Sequence, residues 1–271
     1  MLVSVIIPTY KPTAYIYECF DSLLNQTLEK QFFEILIILN GCNEPFHGNI
    51  KRYFEKKESK PQVCIIQTDV AGVSNARNLG ISKSKGDFIA FVDDDDWVSP
   101  NYLYNLLSHS EEADIAISNV LQFDDVAKCR LPYYQTDAYN RCLVLKKMTF
   151  YNARSFLSSS CAKLISRKVI AEDRFAQKYV LGEDSLFMFQ ISKRIKKMSL
   201  ATSDTIYYVR KRRESASHKP YPYLFRVRLA FSLSYSYLKI YLSAPFRYSF
   251  LLLATRIAAT MLKLFQKKYS L

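Results

Sequence analysis

Gly86-Asp-Phe-Ile-Ala-Phe-Val-Asp-Asp-Asp-Asp-Trp97 runs an apolar stretch, Phe88 to Val92, straight into four consecutive carboxylates, Asp93 to Asp96. A short apolar run of this kind is the pattern of a strand buried on both faces. Four adjacent like charges repel one another, so such a cluster at a strand end makes physical sense where a cation sits. Oxygen-only ligands suit Mg²⁺ or Mn²⁺, which commonly bridge protein carboxylates to substrate phosphates. Side chains alternate along an extended chain, which places Asp93 and Asp95 on one side. A solvated acidic turn is the plainer alternative, because Asp is a common turn former.

Outward from this stretch the same pattern recurs. Val3–Ile7, Ile35–Leu39, Val63–Gln67 and Ile115–Asn119 are further strand candidates, and Ile206–Val209 is a last one. Between the first two, Ile16, Cys19, Phe20, Leu23 and Leu24 recur at helical spacing. Ser99-Pro100 suits an N-cap and first helical position for a helix to about His109, and Leu186, Phe189, Ile191, Ile195 and Met198 trace another from Ser185. Residues 120–160 are Tyr-rich and weakly periodic. Alternating strands and helices predict an α/β fold: a mostly parallel central sheet flanked by helices. Ligands of such sheets sit outside the carboxyl ends of the strands. Pro8-Thr9-Tyr10, Asn40-Gly41 and Asp93 to Asp96 all fall at such ends, and Pro8 is expected to stop the first ladder there.

Together, Val3-Ser-Val-Ile-Ile-Pro-Thr-Tyr10, the segment Asp69 to Gly86 with Ala71-Gly72 and Ala76-Arg77-Asn78, and the acidic run resemble the family 2 glycosyltransferases over about residues 2–217. The resemblance implies a GT-A-like (Rossmann-like) fold and inverting transfer of a sugar from a nucleoside diphosphate sugar. It implies that Pro8, Thr9 and Tyr10 hold the nucleotide base and that Asp93 faces the ribose. Asp94 falls at the variable middle of a DxD motif, and Asp95 is the first choice for the metal ligand. Asp96 either ligates as well or orients the loop. Gly72 permits close approach of the nucleotide, and Arg77 offers a planar fork to its phosphate. Asn40 stands where the family usually has an acid; its side-chain oxygen can still accept from a uracil ring N–H.

Gly182-Glu183-Asp184, just before a helix pattern, resembles the family's second acidic motif. Inverting transfer needs a carboxylate that takes the proton of the attacking hydroxyl. Asp184 is the candidate base and Glu183 the alternative. An acidic pair at a helix start is also favoured by the helix dipole alone. Cys161-Ala-Lys163-Leu upstream and Ile206-Tyr-Tyr-Val-Arg210 with Ser215-Ala-Ser217 downstream resemble the segments that flank this motif, and the ordered trio favours catalysis. Lys163, Arg210 and Arg213 are either diphosphate contacts or solvated surface.

Composition bounds the rest. The three His are isolated, and the six Cys show no ligand spacing, which argues against a zinc site or a His-based triad and for reduced thiols. No basic stretch precedes the first strand, so no signal peptide is expected, and runs such as Leu229–Leu238 are too short to span a membrane. From Ile191 to Leu271 there are 17 Lys and Arg against 2 Asp and Glu, a balance of +15; the remainder holds 21 against 23, a balance of −2. The basicity belongs to a tail rich in Tyr, Phe and Leu, the make-up of helices that lie in membrane interfaces. A packed helical cap is the plainer alternative.

These observations predict a glycosyltransferase domain over 1–217 and a basic, aromatic helical extension over 218–271. The expected activity is Mn²⁺- or Mg²⁺-dependent transfer, with UDP-sugar the favoured donor, to a glycan or lipid-linked acceptor in bacterial surface-polysaccharide synthesis. The expected place is the cytoplasm, peripheral on the inner face of the cell membrane, docked by the tail on anionic lipid, with no nucleic-acid partner. Two rivals are a sugar-phosphate nucleotidyltransferase, whose Gly-rich basic loop after the first strand is missing, and a catalytically inactive binding module for membrane or nucleic acid, which the intact carboxylates oppose.

Overall fold

The computed structural model describes residues 2–145, 148–211 and 221–264. Strands β1 (Val3–Thr9), β2 (Phe33–Asn40), β3 (Gln62–Thr68), β4 (Phe88–Phe91), β6 (Ile115–Ile117), β9 (Lys163–Ser166) and β10 (Met198–Leu200) form a sheet of seven, in the order β10-β6-β9-β4-β1-β2-β3. Only β9 runs antiparallel to its neighbours. A second, four-stranded sheet, β5-β11-β7-β8, is built from β5 (Trp97–Val98), β7 (Asn119–Asp124), β8 (Cys129–Leu131) and β11 (Ile206–Lys211). Helices α1 (Tyr15–Leu24), α2 (Phe46–Glu55), α3 (Val73–Lys83), α4 (Tyr102–Ser108), α5 (Tyr134–Leu145), α6 (Arg167–Ile170) and α7 (Glu183–Ile191) flank the sheets, followed by α8 (Tyr223–Ser243) and α9 (Phe250–Leu262).

The central position of β1 and β2 explains their unbroken apolar sequence. Every residue of both is buried, whereas the edge strand β3 is half-buried and carries exposed Gln62 and Gln67. The acidic run lies between β4 of the large sheet and β5 of the small one, so it forms the corner where the two sheets meet.

Several expectations need correction. Pro8 does not stop β1, which continues to Thr9 in register with β2. The Ile6 carbonyl accepts the Val92 N–H, so the backbone of alternate residues from Ile6 faces β4; that strand has ended by Pro8, and the missing N–H has no partner to lose. The strand expected over Ile115–Asn119 divides at Ser118 between β6 and β7, one in each sheet. Asn101, not Ser99, caps α4; the Ser99 hydroxyl accepts the Ile206 N–H and joins this loop to β11. α7 ends at Ile191, and Met198 begins β10 instead of extending the helix.

The helical extension shares the core of the rest. Leu233, Tyr237, Tyr248, Leu252 and Leu253 are buried in the same apolar cluster as the sheet. Tyr248 stacks on Phe189 at 5.2 Å, and the Tyr237 and Ser185 hydroxyls lie 2.5 Å apart. Each fully buried side chain of this size contributes about 1.5–3 kcal/mol, so α7 depends on α8 and α9 for its burial. The 217/218 division falls outside the described residues.

Candidate active site

The loops after β1, β2 and β4 and the start of α3 meet at the carboxyl end of the large sheet. Pro8 and Thr9 are buried in the last turn of β1, and Tyr10 is half exposed at the mouth. The Asn40 amide fastens three of these loops together. Its Nδ2 donates to the Thr9 carbonyl at 2.8 Å, and its Oδ1 accepts the Gly72 N–H at 2.9 Å. An ionised carboxylate has no donor for the Thr9 carbonyl, which gives a physical reason for an amide here. A uracil N–H at this Oδ1 would share it with Gly72. Gly72 itself has φ +125°, a value that favours glycine, and beyond its immediate chain neighbours nothing crowds the place where a Cβ would stand.

Arg77 is the centre of the site. It projects from α3, is 3% exposed, and meets carboxylates from two distant segments. Nη2 donates to Asp93 Oδ1 at 3.0 Å, and Nη1 donates to Asp184 Oδ1 at 2.6 Å. Glu183 Oε1 lies 3.6 Å from the same Nη1. Arg77 therefore joins the first carboxylate of the acidic run to the acidic pair of α7. Burial opposes its charge, but Asp184 and Asp93 outweigh that and raise its pKa. Its Nε is buried without a hydrogen-bond partner.

Gly182 caps α7 with φ +83°, and Glu183 and Asp184 occupy the first turn, where the helix dipole favours negative charge. The Ser160 hydroxyl donates to Asp184 Oδ1 at 3.0 Å. Burial, followed by the charge of Asp184, pushes the Glu183 carboxyl up to about 7, with Arg77 opposing.

A second buried arginine braces the other side of the acidic run. Arg210 Nε donates to the Asp95 carbonyl at 2.8 Å, Nη1 donates to Asp125 Oδ1 at 2.7 Å, and Nη2 pairs with Glu18. Its guanidinium lies against the Tyr15 and Trp97 rings at 4.5 and 4.6 Å. The Arg210 N–H is accepted by buried Asp96 Oδ1 at 2.8 Å, the bond of a group that orients the loop. Burial first, then the charges of Asp95 and Asp93, push the Asp96 carboxyl well above the usual range. The Asp93 N–H is accepted by the buried Tyr207 hydroxyl at 3.1 Å. Asp94 and Asp95 are half-buried in the same loop. Among the described residues no three His, Cys, Asp or Glu side chains converge as a ready-made metal cage.

Lys163 is neither a solvated residue nor an open diphosphate contact. It is fully buried, donates to the Ser159 carbonyl at 2.7 Å and to that of Cys161, and burial lowers its pKa to about 8. Arg210 is likewise buried. Arg213 and Ser215 to Ser217 lie outside the described residues. Sequence reasoning missed the parts played by Ser160, Tyr207, Glu18 and Asp125. Each acts through a partner on a different element, and only Tyr207 stood within a quoted motif.

The large sheet thus carries an acidic corner and, held to it by Arg77, a second acidic pair at its carboxyl end. The family profile described as "Glycosyl transferase family 2" matches residues 4–173, and the chain belongs to that family. The poly(ribitol-phosphate) beta-glucosyltransferase of Bacillus spizizenii is 27% identical over 218 residues, which cover 78% of this chain and 33% of that protein. The solved structure of S. aureus TarS 1–349 in complex with UDP-GlcNAc matches with a TM-score of 0.70 at 22% identity, covering 88% of this chain and 67% of that one. The mannosyltransferase PcManGT from Pyrobaculum calidifontis, in complex with GDP-Man and Mn²⁺, matches with a TM-score of 0.60 at 14% identity, covering 96% and 75%. The two structural likenesses establish the fold. The chain spans 16% to 40% of the length of the curated relatives it matches.

Proposed function

We propose that this chain transfers a sugar from a UDP-sugar to an acceptor hydroxyl with inversion at the anomeric carbon. The observation that carries the reading is the meeting of Asp93 and Asp184 on one buried guanidinium, although Arg77 and Asp184 are 107 residues apart in sequence. The end of the site named for the donor and the end named for the acceptor are thereby held in fixed relation. Pro8, Thr9, Tyr10, Asn40 and Gly72 would border the nucleotide. Asp184 takes the acceptor proton, with Ser160 and Arg77 fixing its carboxylate, and Glu183 is the alternative base. The UDP-GlcNAc complex of TarS supports the donor class.

The acidic corner fits a divalent cation of the kind held by one or two carboxylates together with substrate phosphate. Its donors are all oxygen, and besides burial the charges of Asp95 and Asp93 hold the Asp96 carboxyl up, a repulsion that a cation would relieve. Asp95 is the residue assigned to hold it, and Asp96 orients the loop. Bound there, a divalent cation stabilises negative charge on the leaving diphosphate.

The acceptor is a glycan or lipid-linked glycan of surface-polysaccharide synthesis, met on an anionic membrane. Support comes from α8. Its inner face, with Ala230, Leu233 and Tyr237, is buried. Its outer face carries Leu224, Phe231, Tyr235, Leu238 and Leu242, all exposed, where a solvent-facing helix ordinarily carries charge. Fully exposed Phe246 and exposed Phe250 follow. Arg228, Lys239 and Arg247 stand among them. No helix among the described residues is long and apolar enough to cross a membrane. An interfacial helix with basic residues fits an anionic leaflet.

A donor screen that follows nucleoside diphosphate release with Mn²⁺ or Mg²⁺ tests the reading. UDP release from one UDP-sugar, absent in excess chelator and yielding an inverted product, is expected. A retained anomeric configuration, or full activity in chelator, contradicts it.

A further inference from the structure

A cavity of about 180 Å³ lies between α8, α9 and the loop that leads into α7. For scale, an engineered apolar cavity of about 150 Å³ in another protein admits benzene. Gly182 and Ser185, which bracket Glu183 and Asp184, line one side. Leu229 and Leu233 of α8 line another. Arg226, whose Nη2 donates to the Lys263 carbonyl at 2.9 Å, and Lys263 supply the cations among the described residues of the lining, none of which is acidic. The contact between this wall and the acidic motif is tight. A Cβ on Gly182 would stand 2.7 Å from Leu233 Cδ1.

We infer that this cavity binds the hydrocarbon next to the phosphate of a phosphorylated lipid, with Arg226 and Lys263 drawing the phosphate to its edge. The inference rests on the reading of the chain as a transferase with a lipid-linked acceptor and deepens it by naming a subsite. Apolar walls recognise the chain, and the positive lining selects an anionic head over a neutral one. A lipid lifted from the membrane beside α8 would be held against the loop that carries the proposed base. The site lies outside the nucleotide loops and the acidic corner, so donor and lipid do not compete for it.

The test is calorimetric titration of the full chain with decyl phosphate below its micelle concentration, and with decanol and inorganic phosphate in parallel. Saturable one-to-one binding of decyl phosphate is expected, at least tenfold tighter than decanol, with none for inorganic phosphate. Leu229→Trp, which fills the cavity, should weaken decyl phosphate and decanol alike by tenfold or more. Lys263→Glu should weaken decyl phosphate by a similar factor and leave decanol unchanged. Melting temperature and circular dichroism establish that each variant is folded, and the exposed Lys263 position serves if Leu229→Trp does not fold. The inference is overturned if the parent shows no saturable decyl phosphate binding, if inorganic phosphate binds as well as decyl phosphate, or if the folded variants bind as the parent does. Sugar transfer to a soluble acceptor without decyl phosphate binding would overturn the subsite and leave the transferase reading standing. Decyl phosphate binding in a chain that releases no UDP would do the reverse.

Discussion

Arg77 and Arg210 are both buried, and both are ringed by carboxylates, yet they do different work. Arg210 is tied off. Its Nε, Nη1 and Nη2 meet the Asp95 carbonyl, Asp125 and Glu18, and two aromatic rings enclose it. It fastens the acidic corner to α1 and to the β7–β8 turn. Arg77 keeps a buried Nε without a hydrogen-bond partner, its Nη atoms donate to Asp93 and Asp184, and Glu183 lies beside them, the three groups proposed to act on the substrates. The contrast teaches that one buried cation builds the loop, whereas the other holds the side chains proposed to react.

The largest effect should come from Arg77→Met, which leaves three carboxylates close together without their cation. Removing one partner of a buried pair costs about 3–5 kcal/mol. Turnover should fall at least ~1,000-fold, and Arg77→Lys should restore folding more than turnover, because a single ammonium cannot fork between Asp93 and Asp184. Urea unfolding beside UDP release checks both parts; full turnover in Arg77→Lys would break the comparison.

Next, Arg210→Met should cost a similar ~3–5 kcal/mol of stability. Its effect on turnover of the folded fraction should be smaller than that of Arg77→Met, and its main kinetic effect should be a raised KM for the donor, because the corner loosens while Asp184 stays in place. Equal kcat losses in the two variants would erase the distinction drawn here.

Glu183 gives a pH test of intermediate size. Its folded-state pKa, about 7, lies above the ordinary carboxylate value. The folded state therefore binds the proton more tightly than the unfolded state does. The stabilising contribution is complete below the unfolded pKa and is lost as pH rises towards 7. The loss should be on the order of 2 kcal/mol. Glu183→Gln should flatten that part of the stability profile, measured by denaturation at pH 5 and 7.5. An unchanged slope would place the raised pKa elsewhere.

The smallest effect on folding is expected on the outer face of α8. Phe231→Asp with Leu238→Asp should change stability by about 0.5 kcal/mol or less, yet reduce co-sedimentation with anionic vesicles. High salt should weaken the remaining binding by screening. Undiminished vesicle binding by the double variant would remove the membrane role, and a parent dimer lost in the variant would reassign the face to self-association. Point variants are cleaner than truncation near Ser217, because Leu233, Tyr237, Leu252 and Leu253 belong to the core.

The central strands were legible because a strand covered on both faces leaves an unbroken apolar run, as in β1 and β2. The acidic corner was legible because four adjacent carboxylates at a strand end are unusual, and the acidic start of α7 because it stands in order with flanking segments that resemble the family's. Residues 120–160 were not, since β7 and β8 are only partly buried and α5 shows little periodicity. The roles of Asn40, Arg77 and Arg210 were hidden for a different reason. An amide or guanidinium looks the same in sequence whether it meets solvent, phosphate or a carboxylate 107 residues away. Only the fold brings those partners together.

The most direct test of the account is Asp184→Asn, which keeps the shape of the side chain and its place beside Ser160 and Arg77. Donor affinity, measured by titration with the UDP-sugar that the screen identifies, should stay within about threefold, while kcat for transfer falls by about 100- to 10,000-fold. Transfer at the parental rate in the folded variant would contradict the account and pass the role of base to Glu183 or to another group.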